Sequence, residues 1–168
     1  MKFVRKLLWI ATIALAVLAT VAEAEEASTK TFEFGPLKAT VTPPAGWTVN
    51  EGTPPSFFDM NGKKGSISFV GTPMPQPDAT FAAMHKAALD AGLAKVKTGD
   101  YEKAQEHSVD GVKGVLTIEA GKDPSIRRMQ WVAYGRGGFY TIMMASQPDA
   151  FEGYRGTFEA FLKTVKLK

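Results

Sequence analysis

Alternation of apolar and polar residues predicts β-strands in the first half of the chain. The run "KTFEFG" places Phe32 and Phe34 against polar neighbours, and "LKATVT" continues the pattern. The runs "FFDM" and "SISFVG" follow, and Asn61-Gly62 between them tolerates the positive φ of a tight hairpin. The proline-rich segment 72–77 then ends the strands, because proline cannot donate a hydrogen bond to a β-ladder.

Two more hairpins are predicted in the second half. The runs "DYEKAQEHSV" and "VKGVLTIEA" flank Asp110-Gly111, and "SIRRMQWVAYG" and "GFYTIMMAS" flank Arg136-Gly137. The "GRGG" stretch joins two strands, whereas a phosphate-binding loop opens a helix. The last two predicted strands have apolar residues at successive positions, and therefore on both faces. This pattern predicts that both faces of the sheet are covered there.

Helical spacing appears after each group of strands. The first helix is expected after an N-cap at Asp78, over about residues 80–91, with Gly92 as its stop. The second is expected to begin near Pro148 and carries one apolar stripe. The stripe consists of Phe151, Tyr154, Phe158, Leu162 and Val165. These elements predict an α+β fold, a mainly antiparallel sheet of about seven to eight strands flanked by helices in an α/β/α sandwich.

The N-terminal 24 residues have the pattern of a secretory signal peptide. A basic start precedes an apolar run over residues 7–22, and Ala22-Glu23-Ala24 offers a cleavage site. The run is short for a bilayer span, which needs roughly 20 apolar residues, and an uncleaved membrane anchor is the alternative. We expect export, with the periplasm as the destination and a thylakoid lumen as the second option. After cleavage no stable membrane span is expected.

Charge and cysteine content narrow the functions and the sources of stability that the chain can have. The leader holds three of the 20 basic residues and one of the 17 acidic residues, so the remainder has a net charge of +1. Nucleic-acid binding is not expected, because phosphate neutralisation needs an excess of Lys and Arg. The chain has no cysteine, so its stability depends on its core. We expect a disordered lead-in at 25–30 and a single domain over 31–168.

No catalytic constellation is apparent, and we expect no enzyme activity, no cofactor and no metal site. The two histidines, His85 and His107, are far apart in sequence and lack metal-ligand spacing. The six methionines after the leader form no Met-x-Met cluster and suit core filling. The sequence does not exclude a metal site whose ligands are brought together only by the folded chain.

Two candidate sites follow from residue type. A docking surface for an acidic partner or anionic lipid would use basic side chains near strand ends and turns. Its candidates are Lys63, Lys64, Arg128 and Arg136. A pocket between sheet and helix for a small apolar ligand would use aromatic walls. Its candidates are Trp131, Phe139 and Tyr140.

The stretch "TPPAGW" raises a separate question about Trp47. Two prolines hold the chain extended as it leaves a strand, and Gly46 permits a turn. The indole then comes back beside the sheet, where it can be buried. We interpret Trp47 as a structural plug rather than a ligand platform.

The chain resembles the PsbP-like superfamily. The segments that carry the resemblance are "TVTPPAGWTV", "SISFVGTP", "TFAAMHKAAL", "DGVKGVLTIEA" and "FYTIMMASQPDAFEGYRGTFEAFLKTVKL". The superfamily includes photosystem extrinsic proteins, Mog-type Ran-binding proteins and DcrB-like bacterial exported proteins, and within it the chain resembles the Mog-type or DcrB-like members. The resemblance implies an antiparallel sheet between helices and a non-catalytic accessory role.

The function predicted from the sequence is therefore an exported, non-catalytic accessory or binding module. It would dock on, or stabilise, a protein partner in the cell envelope. The alternative is a carrier of a small apolar ligand in a pocket between sheet and helix. Fold alone does not decide between them, because one fold serves many functions.

Overall fold

A computed structural model describes residues 28–60 and 64–168, which form ten strands and two helices. The helices are α1 (Asp78–Lys97) and α2 (Phe151–Thr164). The strands are β1 (Lys30–Phe34), β2 (Leu37–Val41), β3 (Trp47–Asn50), β4 (Ser56–Asp59), β5 (Gly65–Pro73), β6 (Tyr101–Val109), β7 (Val112–Glu119), β8 (Arg127–Gly135), β9 (Gly138–Ser146) and β10 (Lys166–Leu167). The predicted signal peptide and the Asn61-Gly62 turn lie outside the described residues, whereas Lys30 of the expected lead-in already belongs to β1.

The predicted α+β fold with a large antiparallel sheet and two helices is confirmed. Seven strands form one sheet in the order β3-β4-β5-β9-β8-β7-β6, with antiparallel neighbours throughout. Strands β1 and β2 lie outside this sheet. They form a separate three-stranded sheet with the C-terminal β10, in the order β1-β2-β10. Alternation indicates which face of a strand is buried and leaves its pairing partner open.

Both hairpins of the second half are confirmed. Asp110 and Gly111 have φ of 49° and 79°, and Arg136 and Gly137 have φ of 47° and 72°. Two successive residues with positive φ give the turn whose twist matches that of the paired strands. Arginine rarely adopts this conformation, so contacts of the Arg136 side chain, described below, have to offset its cost.

The core lies against one face of the seven-stranded sheet. This core face is covered by α2 and by the three-stranded sheet, and Phe57 of β4 lies 5.0 Å from the Phe161 ring of α2. Phe34 of β1 lies 5.2 Å from Phe69 of β5. Trp131 is fully buried, and its indole N–H donates to the His107 carbonyl at 2.9 Å. A buried aromatic side chain removes about 150–250 Å² from water, so these rings contribute strongly to the stability of this layer.

Helix α1 packs on the opposite, outer face and is longer than predicted. It covers Asp78–Lys97, so Gly92 lies inside it. A side chain at Gly92 would come within 3.0 Å of the Ala104 Cβ, so the glycine lets the helix approach β6 closely. The helix ends at Lys97 with Thr98 as its C-cap, and Gly99 follows with a φ of 73°, the left-handed conformation common after helix C-termini.

Helix α2 begins later than predicted, at Phe151. Pro148 lies in a turn in which the Ala150 N–H donates to the Gln147 carbonyl at 3.1 Å, and Ala150 is the N-cap. The predicted start near Pro148 is therefore wrong, because the polar residues and proline that favour a helix start also favour a turn. The helix stops at Thr164, and Val165, predicted to continue its stripe, is extended and leads into β10.

Candidate interaction surfaces

The basic candidates do not form one patch. Lys63 lies outside the described residues. Lys64 pairs with Asp149 at 2.7 Å, and Arg128 pairs with Glu119 at 3.3 Å. Both lie at the end of the seven-stranded sheet where β9 finishes, whereas Arg136 precedes the start of β9. The nine residues of β9 separate the two ends by roughly 26 Å, at about 3.3 Å per residue.

Arg136 joins three parts of the fold. Its guanidinium donates to the Asp110 carboxylate at 2.8 Å, to the Asp110 carbonyl at 2.6 Å and to the Leu167 carbonyl. Asp110 in turn accepts from the Leu167 N–H at 3.0 Å. Burial alone would raise the pKa of Asp110, but the Leu167 N–H, Lys166 and Arg136 bring it below its usual value. The two hairpins and β10 are thus held together, which accounts for the strained backbone at Arg136.

The structure does not bring the three proposed ligand-wall residues together. Trp131 and Tyr140 are fully buried on the core face. Phe139 lies on the outer face, because neighbouring residues of a strand point to opposite faces. Its ring stacks on Tyr134 at a centroid distance of 5.1 Å. The Tyr140 hydroxyl is buried without a hydrogen-bond partner among the described residues, and burial raises its pKa.

The outer face of the seven-stranded sheet is only partly covered. Helix α1 packs mainly on β6, β7 and β8, and leaves the side of β4, β5 and β9 more open. A row of residues paired across neighbouring strands crosses this region, and we call this row the outer patch. The outer patch consists of Phe58, Ser66, Ala145 and Arg128. Phe58 is 38% exposed, and Lys64 borders the same shallow depression.

Phe58 was not predicted as a site residue, although the sequence contains a signal for its exposure. Phe57 and Phe58 are adjacent on a strand, so they must face opposite sides of the sheet. Phe57 is fully buried in the core, which leaves Phe58 on the outer face. Two adjacent aromatic residues in a strand therefore indicate either cover on both faces or one exposed ring.

Trp47 lies at a groove as well as against the core. The Trp47 N–H donates to the Pro44 carbonyl at 3.1 Å, which closes the "PPAGW" turn, with Gly46 at a φ of 77°. Its ring meets Tyr154 of α2 edge-on at 5.7 Å and is half-buried. One side of Trp47 borders a groove of about 320 Å³ beside Ala160. The plug interpretation thus has direct contacts behind it, with one edge of the ring left at the surface.

Several charged side chains that could bind a ligand already form ion pairs within the chain. His85 Nε2 lies 3.0 Å from Glu106, and Glu102 pairs with Arg127 and Arg155. The Arg155 hydrogen bond holds the pKa of Glu102 below its usual value. Within the described ranges, no three His, Cys, Asp or Glu side chains converge as a metal ion would require. No helix of residues 28–60 and 64–168 is long and apolar enough to cross a bilayer.

A cavity of about 390 Å³ opens on the outer face at the far end from Lys64. It lies between the first turns of α1 and the ends of the β6–β7 and β8–β9 hairpins, and we call it the hairpin cavity. Phe81 of α1 and Tyr134 of β8 line it, with Lys113 and Arg136 on the strand side. It is a pocket between sheet and helix, formed by different residues from those predicted.

Comparison with known proteins supports the fold. No protein-family model matches the chain, and no curated protein sequence does. The solution structure of cyanobacterial PsbP (CyanoP) from Synechocystis sp. PCC 6803 is similar, with a TM-score of 0.52 and 13% identity. The match covers 90% of this chain and 99% of that one.

Two crystal structures also match, less completely. One from Bacteroides thetaiotaomicron VPI-5482 has a TM-score of 0.52 and 10% identity, over 77% of this chain and 45% of that one. A protein of unknown function from Pseudomonas aeruginosa, described as a putative regulator, has a TM-score of 0.43 and 12% identity, over 81% of this chain and 94% of that one. At these identities the likeness concerns architecture alone. The described residues have a PsbP-like α+β fold.

Proposed function

We propose that the protein is an exported, non-catalytic accessory module that docks on a protein partner in the cell envelope. The proposal includes cleavage of residues 1–24, release into the periplasm and kinship with the Mog-type or DcrB-like exported proteins. An uncleaved anchor or a thylakoid lumen are the alternative locations. The PsbP-like fold is consistent with an accessory role, and the polar side chains described above pair with one another.

The observation that favours docking is Phe58 in the outer patch. An aromatic ring 38% exposed beside small residues offers the flat, partly apolar surface that interfaces use as an anchor. Lys64 and Arg128 at its margin carry charge, but each already holds a carboxylate on this chain. A partner would therefore bury Phe58 first, and its own acidic groups would compete for the two cations at the rim.

A cross-linking experiment tests this proposal. The wild-type protein should give one specific cross-linked envelope protein in intact cells, and Phe58→Ser should remove it. Leu93→Ser is the matched control, because Leu93 is 42% exposed on α1, away from the outer patch. Equal cross-linking by the two variants, or no specific product from the wild type, would contradict the proposal. Fractionation of the same cells shows whether the cleaved protein is periplasmic.

The carrier alternative has a specific observation of its own. The hairpin cavity lies between sheet and helix, and its volume falls within the roughly 300–1,000 Å³ common for ligand pockets. Trp131 and Tyr140 are too deeply buried to line it, so a carrier would depend on Phe81 and Tyr134.

A further inference from the structure

The hairpin cavity has an apolar wall on both of its long sides. On the helix side, Phe81 and Ala82 come from the first two turns of α1. On the strand side, Tyr134 lies opposite them, and its ring is held by its stack on Phe139. A flat apolar group inserted between the two sides would contact rings or methyl groups on each face.

Cations and an anion lie on opposite lips of the cavity. Lys113 and Arg136 are on the strand lip, and Asp78 is on the helix lip. Lys113 is 68% exposed and meets Glu106 at 3.4 Å, a carboxylate that also meets His85 at 3.0 Å. An ammonium has three donors, so Lys113 retains N–H bonds for a ligand. Arg136 is held by Asp110 and Leu167, which makes it a fixed positive charge at this lip.

His85 marks the wall with an unsatisfied atom. Its Nε2 faces Glu106, whereas its Nδ1 is buried and has no partner within the described part of the chain. Interiors rarely leave such an atom unpaired, and a water or another bound molecule is one explanation where they do. The ring therefore lies where a ligand in the cavity would change its surroundings.

We propose that the hairpin cavity binds a small amphipathic anion, with its apolar body between Phe81 and Tyr134. The carboxylate or sulfonate head lies at the strand lip against Lys113. The charge on Asp78 disfavours the reverse orientation, because it would repel the head at the helix lip. This inference deepens the carrier alternative and is independent of docking through the outer patch.

Binding of the fluorescent sulfonate 8-anilinonaphthalene-1-sulfonate to the full chain tests the proposal. We expect one saturable site, and Ala82→Phe should weaken binding at least tenfold by filling the cavity. Ala83→Phe is the matched control, because Ala83 is the next, exposed residue of α1 and does not line the cavity. Equal binding by the two variants would overturn the proposal.

Charge variants test the position of the anionic head. Lys113→Met should weaken binding of the sulfonate about fivefold, and Asp78→Asn should strengthen it by a similar factor. Lys97→Met at the other end of α1 should leave it unchanged. The neutral probe N-phenyl-1-naphthylamine should not distinguish any of these variants. If Lys113→Met and Lys97→Met behave alike toward the sulfonate, the head is not at the strand lip and the proposal is wrong.

Histidine resonances locate the site without relying on fluorescence. The chain contains two histidines. His85 lies at the cavity, whereas His107 lies on the core side of the sheet, where its carbonyl accepts the Trp131 indole N–H. The sulfonate should shift the His85 ring signals and leave those of His107 in place. Shifts of both histidines, or of neither, would overturn the assignment. Phe58→Ser should bind the probe normally, so failure of the docking proposal leaves this result intact.

Discussion

Substitution of Gly114 by alanine should destabilise the protein more than its single added methyl group suggests. Gly114 lies in β7 opposite Ala133, with its missing side chain on the core face. An added Cβ would overlap the Trp131 indole nitrogen and lie 2.7 Å from the Val132 carbonyl oxygen. Trp131 is fully buried and held to the His107 carbonyl, so the ring has no free direction in which to move.

The magnitude follows from the two contacts that are disturbed. Overpacking a filled core costs about 1–3 kcal/mol. Displacing the Trp131 indole from the His107 carbonyl adds about 1 kcal/mol, the net value of a typical buried hydrogen bond. A loss of roughly 3 kcal/mol lowers Tm by about 10 °C for a domain of this size. Urea unfolding followed by tryptophan fluorescence measures it, because Trp131 reports on the core.

Gly153→Ala is the control for this measurement. Gly153 lies on an exposed turn of α2, and an added Cβ would meet nothing within 4 Å. Alanine favours a helix over glycine by about 1 kcal/mol, so this variant should be more stable than the wild type. A Gly114→Ala protein within about 0.5 kcal/mol of the wild type would refute the packing described around Trp131.

Three further outcomes are expected, each measured by thermal or urea unfolding. Tyr140→Phe should lose less than about 0.5 kcal/mol, because the hydroxyl it removes has no partner among the described residues; a larger loss would reveal a hidden hydrogen bond. Glu102→Gln should cost up to about 1 kcal/mol at neutral pH, since exposed ion pairs contribute little. The pKa of Glu102 is lowered, first of all by its hydrogen bond from Arg155. The stabilisation from this ion pair is therefore present above the usual pKa of a glutamate and is lost as the pH falls through the lowered value. The wild type and Glu102→Gln should then have the same stability in acid, and a difference that stays constant with pH would contradict this. Trp47→Ala should lower Tm through the lost contact with Tyr154, and loss of partner binding at unchanged Tm would reverse the plug interpretation.

Much of the fold was accessible from local patterns. The hairpins at Asp110-Gly111 and Arg136-Gly137 were predicted, because left-handed turn residues between alternating runs have few other conformations available. The wrong boundaries predicted for α1 and α2 came from residues that favour more than one local structure. Gly92 suggested a helix end and instead provides close packing, and Pro148 suggested a first turn and instead lies in a turn before the helix.

The candidate sites were less accessible, because each depends on which strands become neighbours. Arg136 was a candidate for the docking surface, and only the tertiary contact with Asp110 and Leu167 shows that it holds parts of the fold together. Phe139 and Tyr140 were placed on one wall, although their adjacency in a strand already implied opposite faces.

The sequence by itself determined the class of the fold, because the period of the apolar residues and the turn dipeptides are local properties of the chain. The position of β1 and β2 beside β10, the bare outer patch around Phe58 and the hairpin cavity around Lys113 were decided only in the tertiary structure. Each of them joins segments far apart in the sequence. Which surfaces remain uncovered depends on how far α1 extends across the sheet, and no local pattern records that distance.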